Sequence, residues 1–148
     1  MPHVEIHRQA LLKNFKALYR NPHQASAEHL EQVYTQDVEF RDPTRQGVGL
    51  LALKNHLRHL HGGALYTQFD FLDEQCSDNT AVITWQMQYT PRRGFRRRAV
   101  TLRGMTQLRF TDRIYYQEDF YDLGLSLYQH VPVLGSFLRF VHRRWLAG

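Results

Sequence analysis

Hydrophobic and polar positions along the chain follow two periods, and the period changes once. Up to about residue 62, apolar residues recur at helical spacing. Leu11, Leu12, Phe15, Leu18 and Tyr19 form one stripe, with Arg8, Lys13 and Lys16 away from it. Pro22, in NPHQAS, interrupts this first helix. Ser26 is placed to cap a second helix, with Glu28 in its first turn and Leu30, Val33 and Tyr34 as its apolar face. A short strand follows over residues 38–41, ended by Asp42-Pro43. From Gly49 a third helix turns Leu50, Leu53, Leu57 and Leu60 inward and stops at Gly62-Gly63, a favoured C-terminal signal.

After Gly63 the spacing becomes alternating. Phe69 and Phe71 share one face of a strand. Ala81, Ile83, Trp85, Met87 and Tyr89 alternate with polar or smaller residues in a second. Val100, Leu102, Gly104, Thr106, Leu108 and Phe110 do the same in a third, and Thr111-Asp112 turns the chain into a fourth, over residues 114–122. Four strands joined by short or polar turns pair antiparallel, because a parallel pair needs a crossover of roughly a dozen residues or more. Helices followed by an antiparallel meander define an α+β fold. The chain then adds a tail, with a break from Pro132 to Gly135 and a last helix in which Leu134, Phe137, Leu138, Val141 and Trp145 oppose Arg139, His142, Arg143 and Arg144. This stripe suits a helix closing a gap in the core, a dimer seam, or a basic helix lying on an anionic membrane surface. The chain divides into a domain over residues 1–123 and a helical extension over 124–148 packed on it.

Composition narrows the classes. With 148 residues, 43% of them hydrophobic and 13% aromatic, the chain suits one globular domain rather than a disordered or fibrous one. Cys76 is the single cysteine, which excludes an intrachain disulfide and a disulfide-built secreted module. No apolar run reaches the roughly 20 residues of a membrane span. The start, MPHVEIHRQALLKNF, lacks the short apolar core of a signal peptide, so a cytoplasmic location is expected. The formal charge is +5, and five arginines within seven residues (Arg92, Arg93, Arg96, Arg97 and Arg98) account for all of it. This cluster suits a solvated hairpin tip or an anionic contact. A nucleic-acid surface would spread its basic residues along a groove with stacking aromatics, so nucleic acid is not an expected partner.

Several short motifs carry little. Gly47, Gly49 and Ala52, with Asp70 further on, fit a dinucleotide pattern, but DPTRQ separates the first glycine from its strand and the later strands are antiparallel. His56, His59 and His61 lie near the end of the third helix, where they read as a solvated face without metal. Cys76 has no adjacent basic residue to make it a nucleophile. The acids are more informative. Asp119 shares its strand with Tyr115, Gln117 and Tyr121, which lie on its own face by period two. That face is too polar for an ordinary core and too aromatic for an ordinary surface, as in small-molecule pockets. A carboxylate buried there has its pKa raised and can give or take a proton near neutrality. Turn-capping by Asp42, or pairing of Asp119 with an arginine, is the structural alternative.

The helix–helix–strand–helix–four-strand order, with DVEFRDPTRQGVGLLALKNHL at its centre, resembles the nuclear-transport-factor-2-like superfamily. Within it the chain is most similar to the SnoaL-like branch, which includes polyketide cyclases and is related to ketosteroid isomerases. The resemblance spans roughly residues 8–123 and rests more on hydrophobic pattern than on single residues. It implies a cone-shaped, strongly curved antiparallel sheet wrapped around the N-terminal helices, open to a ligand pocket, and commonly a homodimer. It places Asp42, in VEFRDP, where ketosteroid isomerases hold their general base. The positions of their two oxyanion donors are taken here by Phe15 and Thr106. Asp119, in RIYYQED, falls where SnoaL-like cyclases hold an acid/base aspartate, with Gln117 where histidine is common.

The expectation is a protein that holds a small, largely apolar or carbonyl-containing molecule with no cofactor, and that is a homodimer as the resemblance implies. As an enzyme it would use Asp119, with Asp42 as second candidate, to move a proton in an isomerisation, cyclisation or dehydration. Tyr115, Gln117, Tyr121, Thr106 and Phe15 are the candidate ligand-binding residues. The reading from the other class is a non-catalytic binding or dimerisation module that contacts an anionic partner or membrane surface through the 92–98 loop and the last helix.

Overall fold

Helix α1 (Pro2–Arg20) buries the whole predicted stripe, Leu11, Leu12, Phe15, Leu18 and Tyr19. Each such side chain contributes about 1.5–3 kcal/mol on burial. The computed structural model describes residues 2–21, 26–62, 64–91 and 99–122. The 92–98 arginine cluster and the tail beyond Asp122, expected to be helical, therefore lie outside the described residues. Helix α2 (Ala27–Val33) is capped as expected: Ser26 Oγ accepts from the His29 backbone N–H at 3.3 Å, and His29 Nδ1 accepts from the Ser26 N–H at 3.4 Å. Two otherwise orphaned donors are satisfied reciprocally. Among the described residues, no helix is long and apolar enough to cross a membrane.

Tyr34, expected on that helix, instead opens strand β1 (Tyr34–Arg41), four residues ahead of the expected start. It stays fully buried, because its partner across the sheet is Ile114. Asp42 then turns the chain into a strand without a sequence forecast, β2 (Gln46–Val48), antiparallel to β1. The turn is held by Asp42 Oδ1, which accepts from the backbone N–H groups of Thr44 and Arg45 at 2.7 and 2.8 Å. Gly49 follows with φ +96°, where a side chain would be strained, and donates its N–H to Val38 O at 2.8 Å. That pins the start of helix α3 (Leu50–Gly62), whose Leu53 and Leu57 are buried. The glycines of the apparent dinucleotide motif are thus structural: a Cβ on Gly47 would lie 2.5 Å from the Phe40 ring.

The remaining strands, β3 (Ala64–Cys76), β4 (Thr80–Pro91), β5 (Val100–Phe110) and β6 (Ile114–Tyr121), form the antiparallel meander read from the alternation. The six-stranded sheet runs β2-β1-β6-β5-β4-β3, with β1 and β6 parallel. Register shifts at Phe71/Asp73 and Arg109/Phe110 bend the strands, and the curved, unclosed sheet packs its inner face against the helices. The fold is α+β. The second shift corrects one expectation. Period two put Tyr115 on the face of Asp119, but the irregularity lets Ile114 and Gln117 both point inward and turns Tyr115 out, 42% exposed.

Candidate functional site

The inner face of the sheet and helix α1 enclose a cavity of about 200 Å³. Seven aromatic side chains line it: Phe15 and Tyr19 from α1, Phe69 and Phe71 from β3, Trp85 and Tyr89 from β4, and Tyr121 from β6. Met87, Leu102, Thr106, Asp42 and Asp119 complete the described wall. Pockets for drug-sized ligands run to roughly 300–1,000 Å³, so this cavity suits a smaller molecule. Asp42 and Asp119 face the same space, although they come from opposite ends of the chain. The parallel pairing of β1 with β6 brings them together.

Asp119 is buried, 8% exposed. Its Oδ1 accepts from the Thr106 hydroxyl at 2.6 Å, and Gln117 Nε2 approaches Oδ1 and Oδ2 at 3.4 and 3.3 Å. Thr106 in turn accepts from Trp85 Nε1 at 2.9 Å. Burial raises the carboxyl pKa, the Thr106 and Gln117 hydrogen bonds oppose the rise, and the balance stands at about 6. Among the described residues, Thr106 and Gln117, and not the arginine considered from sequence, are its hydrogen-bond partners.

Asp42 has the opposite electrostatics. Burial again pushes its pKa up, but the His56 ring and the Thr44 and Arg45 donors outweigh it and hold the carboxyl well below the usual range. Thr44 donates twice to Oδ1, from its hydroxyl and its backbone, both at 2.7 Å. His56 Nε2 lies 3.1 Å from Oδ2, an ion-pair distance. Asp42 is therefore the turn cap weighed as the structural alternative, and an anion at the cavity wall at ordinary pH. His56 corrects the sequence reading: it is 5% exposed, its ring tilted against that of Phe40 with centroids 5.1 Å apart, and not on a solvated face. Among the described residues, no group of three His, Cys, Asp or Glu converges as a metal site.

Behind Asp119 lies a buried amide. Gln117 Oε1 accepts from the Tyr34 hydroxyl at 2.6 Å, and its Nε2 donates to Tyr19 Oη and to Asp119. Burial pushes the Tyr19 and Tyr34 phenols up, so both stay protonated, and burial followed by the charge of Asp42 pushes Tyr121 up to about 12. Of the residues singled out from sequence, Asp42, Asp119, Thr106, Tyr121 and Phe15 line the cavity. Gln117 stands one layer behind them, and Tyr115 is on the outside. Sequence reasoning assigned Tyr19 to the core alone. It lies one helical turn beyond Phe15 and brings a phenol to the wall where Phe15 has none. Cys76 is held by partial burial and Glu74 at a pKa of about 11, far from a nucleophile's.

A curved, unclosed sheet wrapped on helices is the cone fold of the nuclear-transport-factor-2-like class. Residues 15–116 match the SnoaL-like domain, and the chain belongs to that family. A candidate SnoaL-like polyketide cyclase from Shewanella denitrificans OS-217 superposes with a TM-score of 0.68 at 22% identity, over 84% of this chain and 96% of that one. A second, from Jannaschia sp. CCS1, gives 0.69 at 11% identity, over 82% and 90%. TerC, crystallised with polyporic acid, gives 0.66 at 16% identity, over 81% and 96%. No curated protein sequence matches the chain significantly.

Proposed function

We propose that the protein binds a small, largely apolar, carbonyl-containing molecule in this cavity and that Asp119 transfers a proton to or from it, without a cofactor, in an isomerisation, cyclisation or dehydration. The observation that carries the reading is a buried carboxyl with a pKa near 6 in an aromatic wall. Such a group is poised to act as acid or base near neutral pH. TerC, of the same fold, was crystallised with polyporic acid, which is in keeping with a ring compound as ligand. Asp42 is the weaker candidate for proton transfer, since its carboxylate is occupied by Thr44, Arg45 and His56. Tyr19, Tyr121 and Thr106 supply the polar contacts that orient the ligand, and Phe15 packs on its apolar surface.

Dimerisation is part of the same proposal. Met105 and Phe120 are directly paired across β5 and β6 on the outer face, and with Leu72 they make an exposed apolar stripe for a second copy. The test of function is turnover of a panel of enones, β-diketones and aldol substrates by the wild type and by Asp119→Asn. General acid–base help is worth roughly 10²–10⁴-fold. A loss of that size with the fold intact supports the reading, and unchanged turnover removes Asp119 from the mechanism.

A further inference from the structure

Trp85, Thr106 and Asp119 form a chain of hydrogen bonds whose direction can be worked out from donor chemistry. An indole N–H only donates, so Thr106 Oγ1, at 2.9 Å, must accept from Trp85. The Thr106 hydroxyl then has one hydrogen to place. Its other partner among the described residues is Asp119 Oδ1 at 2.6 Å, and the side chain is nearly fully buried. If Oδ1 carried the acid proton, it would have to donate to Thr106, and the Thr106 hydrogen would be stranded without an acceptor. Leaving a buried donor unpaired is the costlier arrangement. On the other side of the carboxyl, Gln117 Nε2 is also a donor, at 3.3 Å from Oδ2, while its Oε1 accepts from the Tyr34 hydroxyl. It can accept nothing from Oδ2.

We infer that Trp85, acting through Thr106, fixes which oxygen of Asp119 gives and takes the proton: Oδ1 is kept as an acceptor and Oδ2 does the exchange with the ligand. Trp85 and Thr106 are positioning residues, and the inference rests on the proposal that Asp119 is the proton-transfer group. In the step itself a proton moves between Oδ2 and the ligand, and nothing is oxidised or reduced. The fit of the indole is part of the device. Gly104, opposite Trp85 on β5, leaves the ring its place, since a Cβ there would lie 2.5 Å from Trp85 Cζ2.

Among the described residues, the titratable groups that face Asp119 are Tyr19 from α1, Tyr34 from β1, Asp42 after β1, His56 from α3, and Tyr121 on its own strand. The experiment therefore reads the chain from its far end. The indole N–H resonance of Trp85, identified by its loss in Trp85→Phe, is followed against pH in ligand-free protein, together with the ¹³C signal of the Asp119 carboxyl. The Trp85 resonance is expected to shift with a midpoint of about 6. The shift disappears in Asp119→Asn and persists in His56→Gln. Thr106→Val uncouples the indole and raises the Asp119 midpoint by about one pH unit, Trp85→Phe raises it by less, and Thr106→Ser restores both signals. An indole indifferent to pH, or midpoints unchanged in Thr106→Val and Trp85→Phe, overturns the inference, as does a shift abolished by His56→Gln. Because no substrate is needed, the two readings fail separately. If the midpoints move as stated while Asp119→Asn turns over the carbonyl panel like the wild type, the relay stands and the catalytic proposal falls.

Discussion

Replacing Asp119 by Asn removes a carboxyl of the cavity wall that the fold holds back from ionising, and the size of that restraint follows from the structure. Its pKa is raised from 3.8 to about 6. That is roughly two pH units at about 1.4 kcal/mol each, so ionising Asp119 costs the native state ~3 kcal/mol. The sign follows from proton counts. Between about pH 4 and pH 6 the folded protein keeps a proton that the unfolded chain has lost, so this group makes stability fall as pH rises through that window. The penalty is absent below about pH 4 and complete above about pH 6. In Asp119→Asn, Oδ1 still accepts from Thr106, but the new amide nitrogen meets the Gln117 N–H and loses about 1–3 kcal/mol at every pH. The variant should therefore be less stable than the wild type near pH 4 and level with it or more stable near pH 7.5. The difference between them changes by ~3 kcal/mol, and the other carboxylates cancel in it. Urea unfolding at the two pH values reads this as a relative midpoint change of roughly 1–3 M, given slopes of about 1–3 kcal/mol per molar. A difference that stays constant with pH would refute the reasoning and make Asp119 an ordinary ionised carboxylate.

Other consequences are independent of that one. Tyr34→Phe leaves the buried Gln117 Oε1 without its donor and should cost about 1–3 kcal/mol in urea unfolding, whereas a loss below about 0.5 kcal/mol would mean the amide finds another partner. Gly104→Ala forces a Cβ to within 2.5 Å of Trp85 and 2.6 Å of the Phe120 carbonyl, so it should destabilise by about 1–3 kcal/mol and alter the near-ultraviolet circular dichroism of the indole. Phe120→Asp, on the outer stripe, should turn a dimer into a monomer in sedimentation velocity, while a wild type that sediments as a monomer removes the proposed interface.

Much of the architecture was legible because it is local. The stripe from Leu11 to Tyr19, the Ser26 cap and the alternation from Ala81 and from Val100 each declare their element within a few residues, and all lie as expected. Pairings between distant segments leave no such trace. Neither β2 nor the parallel contact of β1 with β6 could be read, and it is that contact which puts Asp42 and Asp119 on one cavity. Tyr115 was misplaced because one irregularity reverses every face before it, and nothing in RIYYQED marks its position. His56 was legible and missed. It lies three residues after Leu53 and beside Leu57, on the buried side of α3, and its neighbours His59 and His61 suggested a polar face instead. Tyr19 was found as core, but whether its hydroxyl reaches a cavity depends on Gln117, 98 residues away.

The central claim is that the aromatic cavity holds a small apolar molecule, and native mass spectrometry of freshly purified protein tests it most directly. The wild type should carry a bound mass that is released on denaturation and can be identified. Leu102→Trp, which fills the cavity from β5, should come through at the mass of the bare chain. A wild type that is empty and that also takes up no member of a panel of ring-bearing carbonyl compounds would contradict the account.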